Sequence, residues 1–380
     1  MNILLSGSRH FLALDLTRNF GKNGHAVYTA DSLKHTMAGA SRYCKKAFFM
    51  PSVRFEEKAY IDKLCKIINE YNIDIVFPIM EDIFYIAKNQ DYICTQCPNV
   101  QLFMDDFDKL IALHDKYSFY KIASELDIPT PQTYLISSIE DLKNALKASD
   151  ESKFVLKPVY SLFGTEVIVI DKTTNIDEID LAHKEWLLQE FIEGPLVCVY
   201  SFAKNGKVKY HVTYDNGDFK SKTGIGMVTF YTPVENDSQI VEYIQRIAQK
   251  MNFTGNLSFD FIKQGDTYYI LECNPRITGG FCMLRNNDFS ELLFDGEETK
   301  NPSIDKGQTL VLNLMHVEDW NLPYFKKLFS YPDLFVDKKD MRPFLESVPQ
   351  LLEIRNQGKK YGATFFQSFY LDLLYEPKDD

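Results

Sequence analysis

The chain has 380 residues, 45% hydrophobic, 14% aromatic and 25% charged, which is the composition of a folded globular protein and excludes disorder as a global description. At about 150 residues per domain, this length predicts two to three domains. The formal net charge of −11 argues against duplex nucleic acid or an anionic membrane surface as the main partner.

The opening MNILLSGSRH has no basic n-region and its apolar run stops at Ser6, so a buried strand is expected here, not a signal peptide. No stretch reaches the roughly 18 apolar residues of a membrane span. Seven scattered cysteines suit a reducing compartment better than a disulfide framework, and a cytoplasmic location is expected. Cys94 and Cys97 form a lone CxxC. With no second pair at zinc-ligand spacing they read as ordinary thiols.

In chain order, Asn2–Leu5 is a short strand, Arg9–Phe20 a helix closed by Gly21 and Gly24, and Val27–Ala30 a second strand. Glu56–Tyr71 carries apolar residues three and four apart (Tyr60, Ile61, Leu64, Ile67, Ile68), which predicts a helix buried on one face. Ile73–Phe77 is then a strand stopped by Pro78. Alternation of this kind predicts a parallel sheet covered by helices. Gly7 after the first strand and Asp31 further on invite a dinucleotide reading. The stretch GSRHFL lacks the three glycines of that fingerprint, so a Rossmann-like scaffold without nicotinamide is expected.

Asp108–Leu126 is expected to be one helix, ending before Ile128-Pro129-Thr130-Pro131. Strands follow at Phe154–Lys157, Glu166–Ile170 and Trp186–Ile192. A hairpin pair spans 197–214 around Lys204-Asn205-Gly206-Lys207, Gln239–Met251 is a helix, and Leu257–Lys263 with Thr267–Cys273 is a second hairpin. The last 80 residues carry no motif.

The second hairpin is the most informative stretch. A three-residue loop, Gly265-Asp266-Thr267, pairs Gln264 with Tyr268 and, four residues back, sets Asp260 opposite Glu272. Alternation puts Asn274 on the face of Glu272 and turns Phe259, Phe261, Leu271 and Cys273 to the core. Two carboxylates and an amide oxygen in one spot suit magnesium, which shares its remaining positions with water and substrate phosphates; the bland alternative is a solvated acidic face. Arg276 and Gly279-Gly280 follow, offering a guanidinium for planar anion contact and backbone N–H groups. Lys157 at a strand end, beside the loop Ser161-Leu162-Phe163-Gly164-Thr165, and Lys116 before a helical run could both reach phosphate. Taken alone, each is an ordinary surface lysine. No GxxxxGK[ST] is present, which excludes a P-loop.

The order of these parts resembles the ATP-grasp superfamily, especially its carbamoyl-phosphate-synthase-like and carboxylate–amine ligase branches. The matching pieces are HDKYSFYKIASELDIPTP, FVLKPVYSLFGTEV, WLLQEFIEG, and NLSFDFI with YYILECNPRITGG, while the segment containing IVFPIMED looks like the family's N-terminal domain. The resemblance implies an α/β protein, α+β in its catalytic part, with an ATP-grasp fold behind a Rossmann-like pre-ATP-grasp domain. The expected boundaries are 1–105, 106–192, 193–300 with the metal site, and a C-terminal extension at 301–380 packed on the catalytic domain. ATP and Mg2+, with Mn2+ as an alternative ion, are the implied cofactors. Lys116, Lys157, Ser161 and Gly164 would meet phosphates. Gln189, Glu190, Phe191 and Ile192 would form the adenine hinge, and Glu193 would hold ribose hydroxyls. Asp260, Glu272 and Asn274 would bind metal, with Arg276 and Lys157 catalytic. The phosphate loop departs from the family in carrying Leu162 and Phe163, and Pro195-Leu196-Val197 stands where an acidic residue is common.

The implied activity is ADP-forming ligation of a small carboxylate, such as an amino acid, to an amine through an acyl phosphate, with small-molecule substrates as partners and neither nucleic acid nor membrane among them. A bicarbonate-using carboxylase or carbamoyl-phosphate-type enzyme, and a non-catalytic ATP-binding module, remain alternatives. A homodimer is the default assembly. Lys222–Gly226 reads equally as a lid or a surface loop, and His211 is a candidate for a second site.

Overall fold

The structure, a computed structural model, describes all residues except 162–165, 182–184, 216–229, 236, 295–301, 306, 310–325, 327–329 and 378–380. The first hundred residues alternate as expected: β1 (Asn2–Ser6), α1 (Phe11–Lys22), β2 (Ala26–Asp31), α2 (Met37–Ala40), β3 (Cys44–Phe49), α3 (Glu57–Tyr71), β4 (Ile75–Pro78), α4 (Asp82–Lys88), α5 (Gln90–Gln96) and β5 (Gln101–Leu102). The five strands make one parallel sheet in the order β3-β2-β1-β4-β5. β1 and β4 are central and buried on both faces, which is why Ile3-Leu4-Leu5 and Ile75-Val76-Phe77 are apolar without alternation. The chain winds outward from β1 to β3 in one direction and resumes at β4 on β1's other side, so the strand order reverses between β1 and β4.

The helix expected over 108–126 is two helices, α6 (Phe107–His114) and α7 (Lys116–Glu125). Asp115 between them leaves the helical region (φ −63°, ψ 111°), and its carboxylate accepts the Ser118 N–H as an N-cap. An internal cap of this kind hides in a helical periodicity because the apolar spacing continues across it. The break sets Lys116 in the first turn of α7, where it is buried.

A four-stranded antiparallel sheet follows, in the order β6-β9-β7-β8, from β6 (Thr133–Ile136), β7 (Lys153–Pro158), β8 (Ile168–Asp171) and β9 (Trp186–Glu190), with α8 (Ile139–Ala148) against β6. β8 lies two residues later than the sequence suggested at its start. Ile136, Leu142, Phe154, Leu156, Ile170, Trp186 and Leu188 give this lobe a hydrophobic cluster of its own.

The third sheet has six strands in the order β14-β13-β10-β11-β12-β15. Its elements are β10 (Leu196–Lys204), β11 (Lys207–Asp215), β12 (Phe230–Pro233), α9 (Ser238–Met251), β13 (Gly255–Gln264), β14 (Thr267–Asn274), α10 (Phe289–Leu293) and β15 (Gln308–Thr309). Asn205 and Gly206, both at positive φ, turn β10 into β11 as their sequence predicts. The C-terminal stretch, unreadable in sequence, contributes α11 (Arg342–Tyr361), which packs on α2. Residues 334–375 also supply Leu334, Phe335, Tyr370, Leu373 and Tyr375 to one core continuous with the N-terminal sheet and the third sheet. Two buried arginines tie these parts together. Arg18 meets Asp340 and the carbonyls of Leu334 and Phe335; Arg9 bridges Asp31 and Asp372. Among the described residues no helix is long and apolar enough to cross a membrane.

Candidate nucleotide and metal site

β13 and β14 form the expected hairpin by a different local route. The loop has two residues, Gly265 and Asp266, with Gln264 paired to Thr267 and Lys263 to Tyr268. A bulge then puts Phe261 opposite Ile270 and Asp260 opposite Glu272, leaving Leu271 as the extra residue. The shorter loop and the bulge cancel, so the acidic pair stands face to face as expected. Leu271, however, does not join Phe259, Phe261 and Cys273 in the core; it lines a cleft. The bulge breaks the alternation on which its assignment rested.

Asn274 continues the face: its amide donates to Glu272 Oε1 at 3.4 Å, and Arg276 Nη2 donates to Asn274 Oδ1 at 3.1 Å. Lys116 comes from the first turn of α7, its Nζ 3.8 Å from Glu272 Oε2 and donating to the carbonyls of Val159 (3.3 Å) and Ser161 (3.1 Å). Ser161 therefore meets the site through its backbone oxygen. Lys157, at the end of β7, is buried, and desolvation drops its pKa to about 8 against the pull of Glu272 and Asp260. Burial and the facing Glu272 push Asp260 up to about 7. Glu272 is desolvated too, yet Lys116 and Lys157 hold it below the usual glutamate range. Two carboxylates this close share their charge unequally until a cation joins them.

Beside this cluster lies a cleft of about 280 Å³. Gln189 to Gly194 run along one edge, Lys153, Val155 and Lys157 of β7 line the wall, and Ile262 and Leu271 close it from the hairpin. The Phe191 N–H donates to the Lys153 carbonyl, and the Glu190 N–H to that of Gln132. Gln189 turns its amide to Thr133 Oγ1 at 2.8 Å, while Glu193 is exposed at the end of the strip. Apolar walls with a polar backbone edge suit a planar heterocycle. Lys153, Val155, Ile262 and Leu271 were not legible as site residues. Val155 follows from alternation with Lys157 on β7, while Leu271 depends on the bulge.

Gly164 and the rest of 162–165 lie outside the described residues, as does Lys222–Gly226. Gly279 and Gly280 open a 3-10 turn, and their smallness serves packing: a Cβ on Gly279 would strike the Tyr231 ring and one on Gly280 the Tyr214 ring. Asp31, at the position of a ribose-binding acid, is engaged by the Arg9 guanidinium and backbone N–H. His211 sits on β11 opposite Ser201. All seven cysteines are free thiols. Among the described residues no three His, Cys, Asp or Glu side chains gather as a metal cluster. Two carboxylates with an amide are nonetheless the hard-oxygen set that magnesium takes when water and phosphate complete its shell.

A cradle of lysines and paired acids between two antiparallel lobes, behind a Rossmann-like sheet, defines an ATP-grasp architecture. The family model of the ATP-grasp domain matches residues 113–280, and that of the PylC-like N-terminal domain matches residues 3–96. The chain belongs to the ATP-grasp superfamily. The arginine-specific carbamoyl phosphate synthase large chain of Geobacillus stearothermophilus is 24% identical over 190 residues, 45% of this chain and 17% of that protein. The chain thus matches less than a fifth of the length of that curated relative. An L-amino acid ligase from Bacillus licheniformis superposes with a TM-score of 0.61 at 17% identity, covering 77% of this chain and 72% of that one. An N5-carboxyaminoimidazole ribonucleotide synthetase from Thermus thermophilus gives 0.62 at 14% identity, covering 81% of each. At these identities the likeness is one of fold.

Proposed function

We propose that this chain is an ATP-dependent, ADP-forming ligase that joins a small carboxylate to an amine through an acyl phosphate. One observation carries the proposal: Asp260 and Glu272 face each other beside Asn274, with Lys116 and Lys157 turned toward them at the end of an apolar cleft. Adenine would lie against Val155, Ile262 and Leu271 along the 189–192 edge, with ribose hydroxyls at Glu193. Asp260, Glu272 and Asn274 would hold Mg2+, which when bound draws charge from the phosphate oxygens. With the division placed at 106–192 and 193–300, the small lobe, which has its own hydrophobic cluster, would lie over the phosphates and the hairpin below them.

A carboxylate is a poor acyl donor because oxide would have to leave. Its oxygen attacks the γ-phosphorus in line, the bond to the ADP oxygen breaks, and an acyl phosphate forms. The amine nitrogen then attacks the acyl carbon and loses a proton, and inorganic phosphate departs as the C–N bond forms. Lys116 and Lys157 would offset charge on the transferred group, and Arg276, held beside Asn274, would face the acyl oxygens. No protein nucleophile is needed, so catalysis is positioning and water exclusion. The names of the similar proteins, an amino acid ligase and a carbamoyl phosphate synthase, support this class of chemistry.

ADP release measured with pools of amino acids and with bicarbonate tests it. Release that depends on an added amine is expected. Turnover with bicarbonate alone would replace the proposal with a carboxylase, and nucleotide binding without turnover would reduce it to an ATP-binding module.

A further inference from the structure

The outer face of α11 is not used by the fold. The helix buries Pro343, Ser347, Gln350, Ile354 and Gly358. Gln350 is fixed from both ends, accepting the Met37 N–H at 2.8 Å and donating to the Arg9 carbonyl at 3.0 Å. On the opposite side Leu345, Val348 and Leu352 are 68%, 60% and 54% exposed, with Met341 at the head of the row. Single exposed apolar residues are ordinary, whereas a contiguous row of them marks a docking surface. Steps of four, three and four residues along the row make it the seam on which a second helix packs. From Met341 to Leu352 it runs about 16 Å, or about three turns of such a partner.

The charges around the row are sorted by sign. Asp337 is taken by Lys22 and the Lys339 N–H, and Asp340 by Arg18. Glu346 meets His35, while Glu353 accepts the N–H groups of Lys34 and His35. Every acid of residues 336–361 is thus spent on the rest of the molecule. The bases of the same segment, Lys338, Lys339, Arg342, Arg355, Lys359 and Lys360, are exposed and pair with no acid among the described residues. In a chain of net charge −11, this leaves an apolar row with positive charge at both ends.

Two occupants fail on this pattern. A second copy laid across a two-fold axis superposes the row on itself with Met341 over Leu352 and Leu345 over Val348. The same register sets the Arg355 end of each helix against the Lys338-Lys339 end of the other, and like charges opposed at an interface work against association. An anionic bilayer is an extended plane, and it would repel most of so acidic a body. A single acidic helix meets only the row and the bases within the ~10 Å reach of a screened charge.

We infer that this face of α11 docks an acidic amphipathic helix of another protein, its apolar side on Leu345, Val348 and Leu352 and its carboxylates on the bases at either end. The inference is independent of the ligase reading, since no residue of the row lines the nucleotide cleft.

The test follows the fluorescence anisotropy of a labelled peptide of about 18 residues, made of Leu, Ala and Glu with its leucines on one helix face, as the full chain is added. The wild type is expected to bind it. The same peptide with Gln for Glu, or with its leucines scattered round the helix, should bind about tenfold more weakly, because one loses the charge match and the other the seam. Raising NaCl from about 50 mM to about 500 mM should cost a similar factor as the screening length contracts. Leu345→Ser with Leu352→Ser should abolish binding. Arg355→Glu with Lys359→Glu should invert the preference, so that a peptide with Lys for Glu binds instead. All four side chains are exposed, so far-UV spectra and cooperative unfolding should match the wild type in both variants. A wild type that binds none of the peptides overturns the inference, as does one that binds the scattered peptide as well as the amphipathic one, or binding that survives either variant. A dimer in sedimentation that Leu345→Ser with Leu352→Ser dissolves would give the face to a second copy instead. Capture on phosphatidylglycerol vesicles, lost in that variant, would give it to a lipid surface; either result overturns the inference.

Discussion

A lysine only 7% exposed needs partners to stay charged. Lys157 has them in Asp260 and Glu272, yet desolvation still leaves its pKa at about 8. Replacing it with methionine keeps the bulk and removes the charge. ATP affinity measured by calorimetry should then fall at least tenfold, about 1.4 kcal/mol, because a triphosphate loses a cation placed in low dielectric. Glu81 gives a pH prediction. Burial raises its pKa from 4.5 to about 7, against the pull of Arg276, the Tyr375 N–H and Lys116. A carboxyl raised in the folded state favours folding below its unfolded pKa, and that contribution is lost as pH climbs through the folded value. Chemical denaturation at pH 5 and pH 8 should therefore show Glu81→Gln gaining on the wild type by about 2–3 kcal/mol across the interval. A difference that stays flat with pH would mean Glu81 ionises freely.

At the scale of elements, the β13–β14 hairpin joins the acidic pair proposed to hold metal and the wall proposed to hold adenine in one ribbon. The bulge at Leu271 lets Asp260 and Glu272 face each other while Leu271 turns into the cleft. Truncation by Leu271→Ala should weaken ATP by about 1–2 kcal/mol, the loss of part of a leucine's apolar contact, with the fold retained; calorimetric Kd and a far-UV spectrum check both halves. The hairpin's acidic pairing was legible because alternation and register need only local geometry. Its loop length and bulge were misread, since Gly265-Asp266 supports loops of two or three residues and a bulge leaves no mark in the alternation of neighbouring residues. Helix periodicity likewise located α3 but missed the break at Asp115, where a cap sits inside a continuing apolar stripe.

For the whole molecule, the stretch after residue 330 is the tie between distant parts. Asp372 reaches the Arg9 guanidinium at 2.7 Å and is fully buried with it, alongside Asp31 and Ser32. Asp372→Ala strips one of two carboxylates from a guanidinium that has no access to water. The cost should be about 3 kcal/mol, read as a lower urea midpoint. A loss below about 0.5 kcal/mol, the level of a surface pair, would show the tail to be a loose appendage.

Composition, alternating strands and helices, and the order of four motifs sufficed to assign the superfamily, because burial periodicity and motif spacing are written within short windows of chain. The same windows led from Asp260 to Glu272, twelve residues apart and joined by a turn. Tertiary structure alone decided that Glu81, His114 and Tyr375 meet, since residues so far apart share no local signal. It also decided that Arg9 takes Asp31 and Asp372. Contacts of that kind arise only when whole elements pack, and no pattern of neighbours along the chain encodes them.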